Sequence, residues 1–154
     1  MRADRMQRLA FIVAGDPAQR TGGYLYDAHI VAQLRQSGWQ VEVIRLAGRF
    51  PDADEVARDA LRAALSSLPD DSLVVIDGLA LGGLPETVAP HAQRLRLIAL
   101  VHHPLADERG LDADQAGRFE RQEAAALHAM RGVITTSRFT ARRVAGMGVD
   151  AACI

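Results

Sequence analysis

The sequence predicts an α/β fold, a parallel sheet of about six strands with helices on both faces, and three observations predict it. Apolar runs of four to six residues recur along the chain, bounded by Gly, Pro, Asp or His. Runs that short and that apolar suit strands buried on both faces of a parallel sheet. The segments between them are long enough for crossover helices, which parallel strands require. Strand and helix alternate throughout, with no internal repeat, low-complexity stretch or linker. That alternation defines the Rossmann-like class, here in one domain spanning residues 1–154.

After a basic start (Met1 to Arg8), Leu9–Val13 is the first strand. The turn-rich stretch Ala14–Gly23 breaks it, and Tyr24–Ser37 follows as a helix, with Leu25, Ala28, Ile30, Val31, Ala32 and Leu34 as its apolar face. Gly38 closes that helix, because a left-handed residue finishes the last turn without a Cβ penalty. Val41–Leu46 is the second strand. The helix Asp54–Leu68 opens on Asp52, Asp54 and Glu55, whose charges complement the helix dipole. Leu73–Ile76 is the third strand and ends at Asp77-Gly78; a glycine-rich loop then leads to a short helix over Pro85–Gln93. Proline suits its first turn, where its missing N–H costs nothing.

The stretch RLRLIALVHHPL, ending at Leu105, holds the fourth strand and is the point around which the rest is arranged. Its apolar run stops at His102-His103, and Pro104 brings no N–H to the ladder. A long helix occupies most of Leu111–Arg131, with Phe119, Ala126, Leu127 and Met130 as its buried face. Val133–Thr136 is the fifth strand, Ser137 caps a helix over Arg138–Ala145, and Val149–Ile154 begins a sixth strand.

Composition narrows the chemistry. The 154 residues carry a net charge of −1, which argues against nucleic acid as a partner. All 18 basic residues are arginine, so no P-loop lysine, Schiff-base lysine or lysine general base exists in this chain. The single cysteine, Cys153, cannot form an intrachain disulfide, and no signal-peptide pattern is present, which together favour the reducing cytoplasm. No apolar stretch approaches the roughly 18 residues of a membrane span. Arg138, Arg142 and Arg143 make a modest basic patch, the one feature suited to peripheral contact with an anionic lipid surface. The GxSxG, CxxC and HExxH motifs of hydrolases, thiol oxidoreductases and metalloproteases are all missing.

Four groups are candidates for a site, because ligands of open parallel sheets bind outside the carboxyl ends of the strands. Gly22 and Gly23, followed by Tyr24, permit close backbone approach at a helix N-terminus that favours an anion, although the spacing is not a dinucleotide fingerprint. His102 and His103 offer a base, a donor to an anion, or a metal ligand. No second cluster of metal-ligand spacing accompanies them, so no metal is expected. Asp77 with Gly82-Gly83 lies at another strand end. Ser137 and Arg138 offer a cap and a charge after the fifth strand.

In order, RTGGY before a helix, LVVIDG, LIALVHHP, and GVITTSRFTARRVAGMGV after a long helix make up a recognisable set. The set resembles the N-terminal domain of glycosyltransferase family 4, retaining enzymes of the GT-B fold, over about Leu9 to Asp150. The resemblance implies two Rossmann-like domains facing across a cleft, of which this chain is the acceptor-binding half and the C-terminal donor-binding domain is absent. It implies transfer of a sugar from a nucleotide-diphosphate sugar to a lipid, glycan or small-molecule acceptor, with no metal or further cofactor. Gly22 and Gly23 then lie near the donor phosphates, and a histidine after the fourth strand contacts the transferred sugar. Family members often carry one histidine followed by Asp or another polar residue. Here His-His-Pro leaves both candidates, with His102 favoured as the first residue past the strand. Alone, the half is expected to be inactive, because the leaving diphosphate needs positive charge. Rival readings are a non-catalytic Rossmann-like module that binds a nucleotide or a protein partner, and a different GT-B enzyme such as a sugar-nucleotide epimerase.

Overall fold

The computed structural model describes residues 7–15 and 22–154, with five strands: β1 (Arg8–Ala14), β2 (Gln40–Leu46), β3 (Leu73–Asp77), β4 (Arg96–Val101) and β5 (Gly132–Thr135). All pairings are parallel, in the order β2-β1-β3-β4-β5. The helices are α1 (Gly22–Gln36), α2 (Glu55–Ser67), α3 (Gly78–Leu81), α4 (Pro85–Val88), α5 (Ala113–His128) and α6 (Arg138–Gly146). This is the Rossmann-like architecture that the alternation predicts. The basic start and most of the turn-rich stretch between β1 and α1 lie outside the described residues.

Side chains alternate across the sheet, as a period of two dictates. Ala10 and Ile12 of β1, Val74 and Ile76 of β3, and Leu97, Ala99 and Val101 of β4 meet Leu61 and Leu65 of α2, Ala126 and Leu127 of α5, and Val144 of α6. On the opposite face Leu9, Phe11, Val13, Val75 and Leu100 form a smaller core with Val31 of α1. Helices α2 to α6 thus share one face and α1 has the other. The α1 face is left partly open toward β5, where Ile134 is 49% exposed.

Four expectations need correction. Val149–Ile154 is not a sixth strand; Ala151–Cys153 is a 3₁₀ turn capped by Asp150, whose Oδ1 accepts from Ala152 N at 2.9 Å. A local side-chain bond of this kind competes with a ladder. The loop after β3 contains α3, because Oδ1 of Asp77 accepts from Leu79 N at 2.8 Å and caps it. The helix expected over Pro85–Gln93 ends at Val88 and continues as a 3₁₀ turn over Ala89–His91, since Pro90 has no N–H to extend it. The buried face of α1 is Asp27 and Val31, flanked by Ile30 and Leu34, whereas Leu25 is 56% exposed and Ala28 and Ala32 also face outward.

Side chains cap the helix starts, at Ser137 as the sequence predicts and at Asp54 and Asp112 besides. Asp54 accepts from Ala57 N to start α2, Ser137 accepts from Thr140 N to start α6, and Asp112 with Gln115 forms a reciprocal capping box on α5. No helix among the described residues is long and apolar enough to cross a membrane.

Candidate functional site

From β1 the chain crosses to β2 on one side and then returns past β1 to β3 on the other. The sheet therefore reverses direction between β1 and β3, and connections on either side of such a point diverge and leave a crevice at the strands' carboxyl ends. A crevice of about 580 Å³ lies there. Ala14 and Gly15 line it at the end of β1, Asp77 and Gly78 at the junction of β3 with α3, and His102 and His103 just past β4. A larger hollow of about 840 Å³ lies at the opposite, amino-terminal edge of the strands against Leu9, Val41 and Leu73, and has no histidine among the described residues of its wall. The chemistry collects in the smaller one.

Its centre is a hydrogen bond that the sequence does not announce. Asp27, one turn before Val31 on the buried face of α1, brings Oδ1 to 2.7 Å from Nε2 of His102. The side chains are 7% and 20% exposed, respectively. Asp77 completes the group: one ligand atom from each of Asp27, Asp77 and His102 lies within 4.8 Å of the others. Tyr26 sets its ring edge-on to the imidazole at 5.1 Å. Thr136 and Thr140 donate their hydroxyls to the His102 carbonyl at 3.4 and 3.2 Å, so the N-terminal turn of α6 secures this backbone.

The electrostatics follow from burial and proximity. Burial raises the Asp77 carboxyl to about 7, the hydrogen bond and charge of Asp27 push the same way, and the Leu79 amide and His102 oppose the rise. For His102, burial disfavours the imidazolium, but Asp27 and then Asp77 outweigh it and raise the group above its ordinary value. One ring nitrogen and two carboxyl groups so close together can share protons among themselves. The same donor set also has the composition and proximity to hold one divalent cation.

The predicted residues fall into distinct roles. Gly23 lies against the imidazole, and a Cβ there would stand 3.3 Å from Cδ2 of His102. Gly22 is exposed, and a Cβ there would meet nothing within 4 Å. Tyr24 lines the crevice, and its hydroxyl accepts from Arg45 at 3.4 Å. His103 also faces the crevice but is more exposed than His102. Gly82 and Gly83 are occupied by packing: added Cβ atoms would collide with Leu105 and with the Pro51 carbonyl. Ser137 caps α6, and neither it nor Arg138 lines the crevice. Arg143 leaves the expected basic patch, because Asp107 takes it in a bidentate pair at 2.7 and 2.9 Å.

A second missed acid lies beneath the site. Glu123 of α5 is 1% exposed, and its Oε2 accepts from Leu105 N at 2.9 Å, pinning the loop that follows His102-His103. Its Oε1 is buried with no hydrogen-bond partner. Burial raises this carboxyl to about 7, against the pull of the Leu105 amide. The available signal for Asp27 and Glu123 was periodic: each falls on the apolar stripe of its helix, four residues from Val31 and Leu127 respectively.

No protein-family model matches this chain, and no curated protein matches it at a significant level.

Proposed function

We propose that this Rossmann-like domain is the acceptor-side half of a retaining sugar transferase, which moves a sugar from a nucleotide-diphosphate sugar to a lipid, glycan or small-molecule acceptor. The observation that carries the reading is the place of His102. It is the first residue beyond a central strand, its imidazole lines the crevice at the reversal point, and Gly23 leaves room beside it. His102 hydrogen-bonds the transferred sugar, Gly23 admits the reacting centre, and Asp77 lines the acceptor side.

The charges in the crevice favour a donor held largely by a second domain. Among the described residues that line it, Arg49 is the one guanidinium and stands with the acids Asp27, Asp77 and Glu108, so this wall offers little positive charge to stabilise a departing diphosphate. Transfer then requires a partner domain across the cleft. In the two-domain enzyme, His102→Ala lowers turnover with a nucleotide-diphosphate sugar by about a hundredfold, the usual effect of removing one hydrogen-bond donor aimed at developing charge. Turnover within a few-fold of the parent enzyme overturns the role. Tight nucleotide binding by this domain alone, with no transfer after the partner domain is supplied, supports a binding module instead.

A further inference from the structure

Among the described residues, the crevice contains two buried carboxyl groups and one basic group, His102, close to both. Asp27 enters from α1 and Asp77 from the end of β3, and both meet the imidazole that follows β4. Around the trio stand the Tyr26 ring and, on the crevice wall, Arg49, His103 and Glu108. Two contacts fix the arrangement. His102 turns Nε2 to Oδ1 of Asp27. Asp77 commits Oδ1 to the Leu79 amide, so its other oxygen is the one free to hold a proton. Two carboxylates beside one imidazolium would leave a buried negative charge uncompensated, an arrangement that proteins avoid by retaining a proton.

We infer that Asp27 is the positioning residue of this site: it accepts Nε2–H of His102 on one side and the carboxyl proton of Asp77 on the other, so that His102 keeps one tautomer and offers Nδ1 to the ligand. The proton of Asp77 stays on that carboxyl and is hydrogen-bonded to Asp27. In neutral His102, Nδ1 is an acceptor; in the imidazolium it donates to a sugar oxygen or another oxyanion. The upward shifts of Asp77 and His102 agree with this arrangement. The inference rests on His102 as the working group of the crevice, the reading proposed above, but its test needs neither donor nor turnover.

That test is a pH titration of the His102 ring nitrogens and of the Asp27 and Asp77 carboxyl carbons by NMR, on this chain and two variants. In the parent chain, the neutral ring carries its proton on Nε2, and the Asp77 carboxyl carbon titrates close to neutrality. Asp27→Asn lowers the His102 midpoint by about one pH unit, a tenfold change in proton affinity, and mixes the tautomers. Asp77→Asn keeps the Nε2–H tautomer but removes the near-neutral carboxyl step. A His102 midpoint and tautomer unchanged by Asp27→Asn overturn the assignment. An Asp77 carboxyl carbon in the parent chain that titrates in the ordinary acidic range also overturns it, and this measurement needs no variant to fold. Stoichiometric binding of Zn²⁺ or Mn²⁺ that displaces these protons at micromolar metal overturns it in favour of a cation site. Loss of sugar transfer as a reading leaves the titration result standing, so the two failures are distinguishable.

Discussion

Two neighbouring glycines show how unequal adjacent positions become once the chain folds. Gly22→Ala enters open space, so stability stays within about 0.5 kcal/mol of the parent, as measured by urea unfolding. Gly23→Ala places a methyl group against the His102 ring, which must give by a few tenths of an ångström. Its expected result is a shifted His102 imidazole resonance and weakened ligand binding, with little loss of stability. Unchanged His102 shifts would contradict the contact. Glu123 is the residue whose effect reads out in pH. Its carboxyl, like that of Asp77, is raised in the fold to about 7, so the folded state holds protons that the unfolded chain releases from about pH 4 upward. The stability they add is complete in acid and is lost as pH rises toward and through 7. Each contributes a slope of up to about 1.4 kcal/mol per pH unit in that window. Thermal melts from pH 5 to 8 therefore show falling stability, and Glu123→Gln flattens the curve and raises the melting temperature at pH 8.

At the scale of the element, the helices place the site by how they begin. Ser137 starts α6 so that Thr140, in its first turn, reaches the His102 carbonyl. Thr140→Val keeps the shape, removes that bond, and costs about 1 kcal/mol, with larger amide-exchange rates confined to the segment after β4. Uniform changes across the sheet would argue against this local role. The box at the start of α5 is a simpler case. Asp112 accepts from Gln115 N at 2.8 Å, so Asp112→Ala costs about 1 kcal/mol in denaturant unfolding and leaves the His102 titration unchanged. A shifted His102 would mean that the cap reaches the crevice through Glu123.

For the whole molecule, the two faces of the sheet predict two kinds of mutational response. Leu97 is fully buried between β4 and the helices of the larger core, so Leu97→Ala costs about 2–5 kcal/mol through lost transfer energy and the cavity left behind. Ile134 lies on the strand beside it but points to the partly open face at 49% exposure, and Ile134→Thr changes stability by less than about 1 kcal/mol. Equal costs at the two positions, read by chemical denaturation, would mean that the open face is covered in solution. The contrast arises from topology: α1 is the helix set against that face, while α2 to α6 all pack on the other.

The fold class and the five strands were legible in the chain itself, since short apolar runs bounded by Gly, Pro, Asp or His are best satisfied in a buried parallel sheet. The cap at Ser137 was equally legible, because its hydrogen bond spans only three residues. His102 and Asp77 were marked by standing at strand ends, where any parallel sheet exposes its loops. What only the tertiary structure decided is the partnership between them. Asp27 and His102 are 75 residues apart in sequence and 2.7 Å apart in space, and the apolar stripe of α1 places Asp27 on the inward face without naming its partner. Glu123, Arg143 and Gly23 took their roles the same way, from side chains delivered by distant strands and helices. Local hydrogen bonding and periodicity act over a few residues and can be read along the chain. Burial and charge pairing depend on which elements become neighbours, and the packing of the sheet settles that.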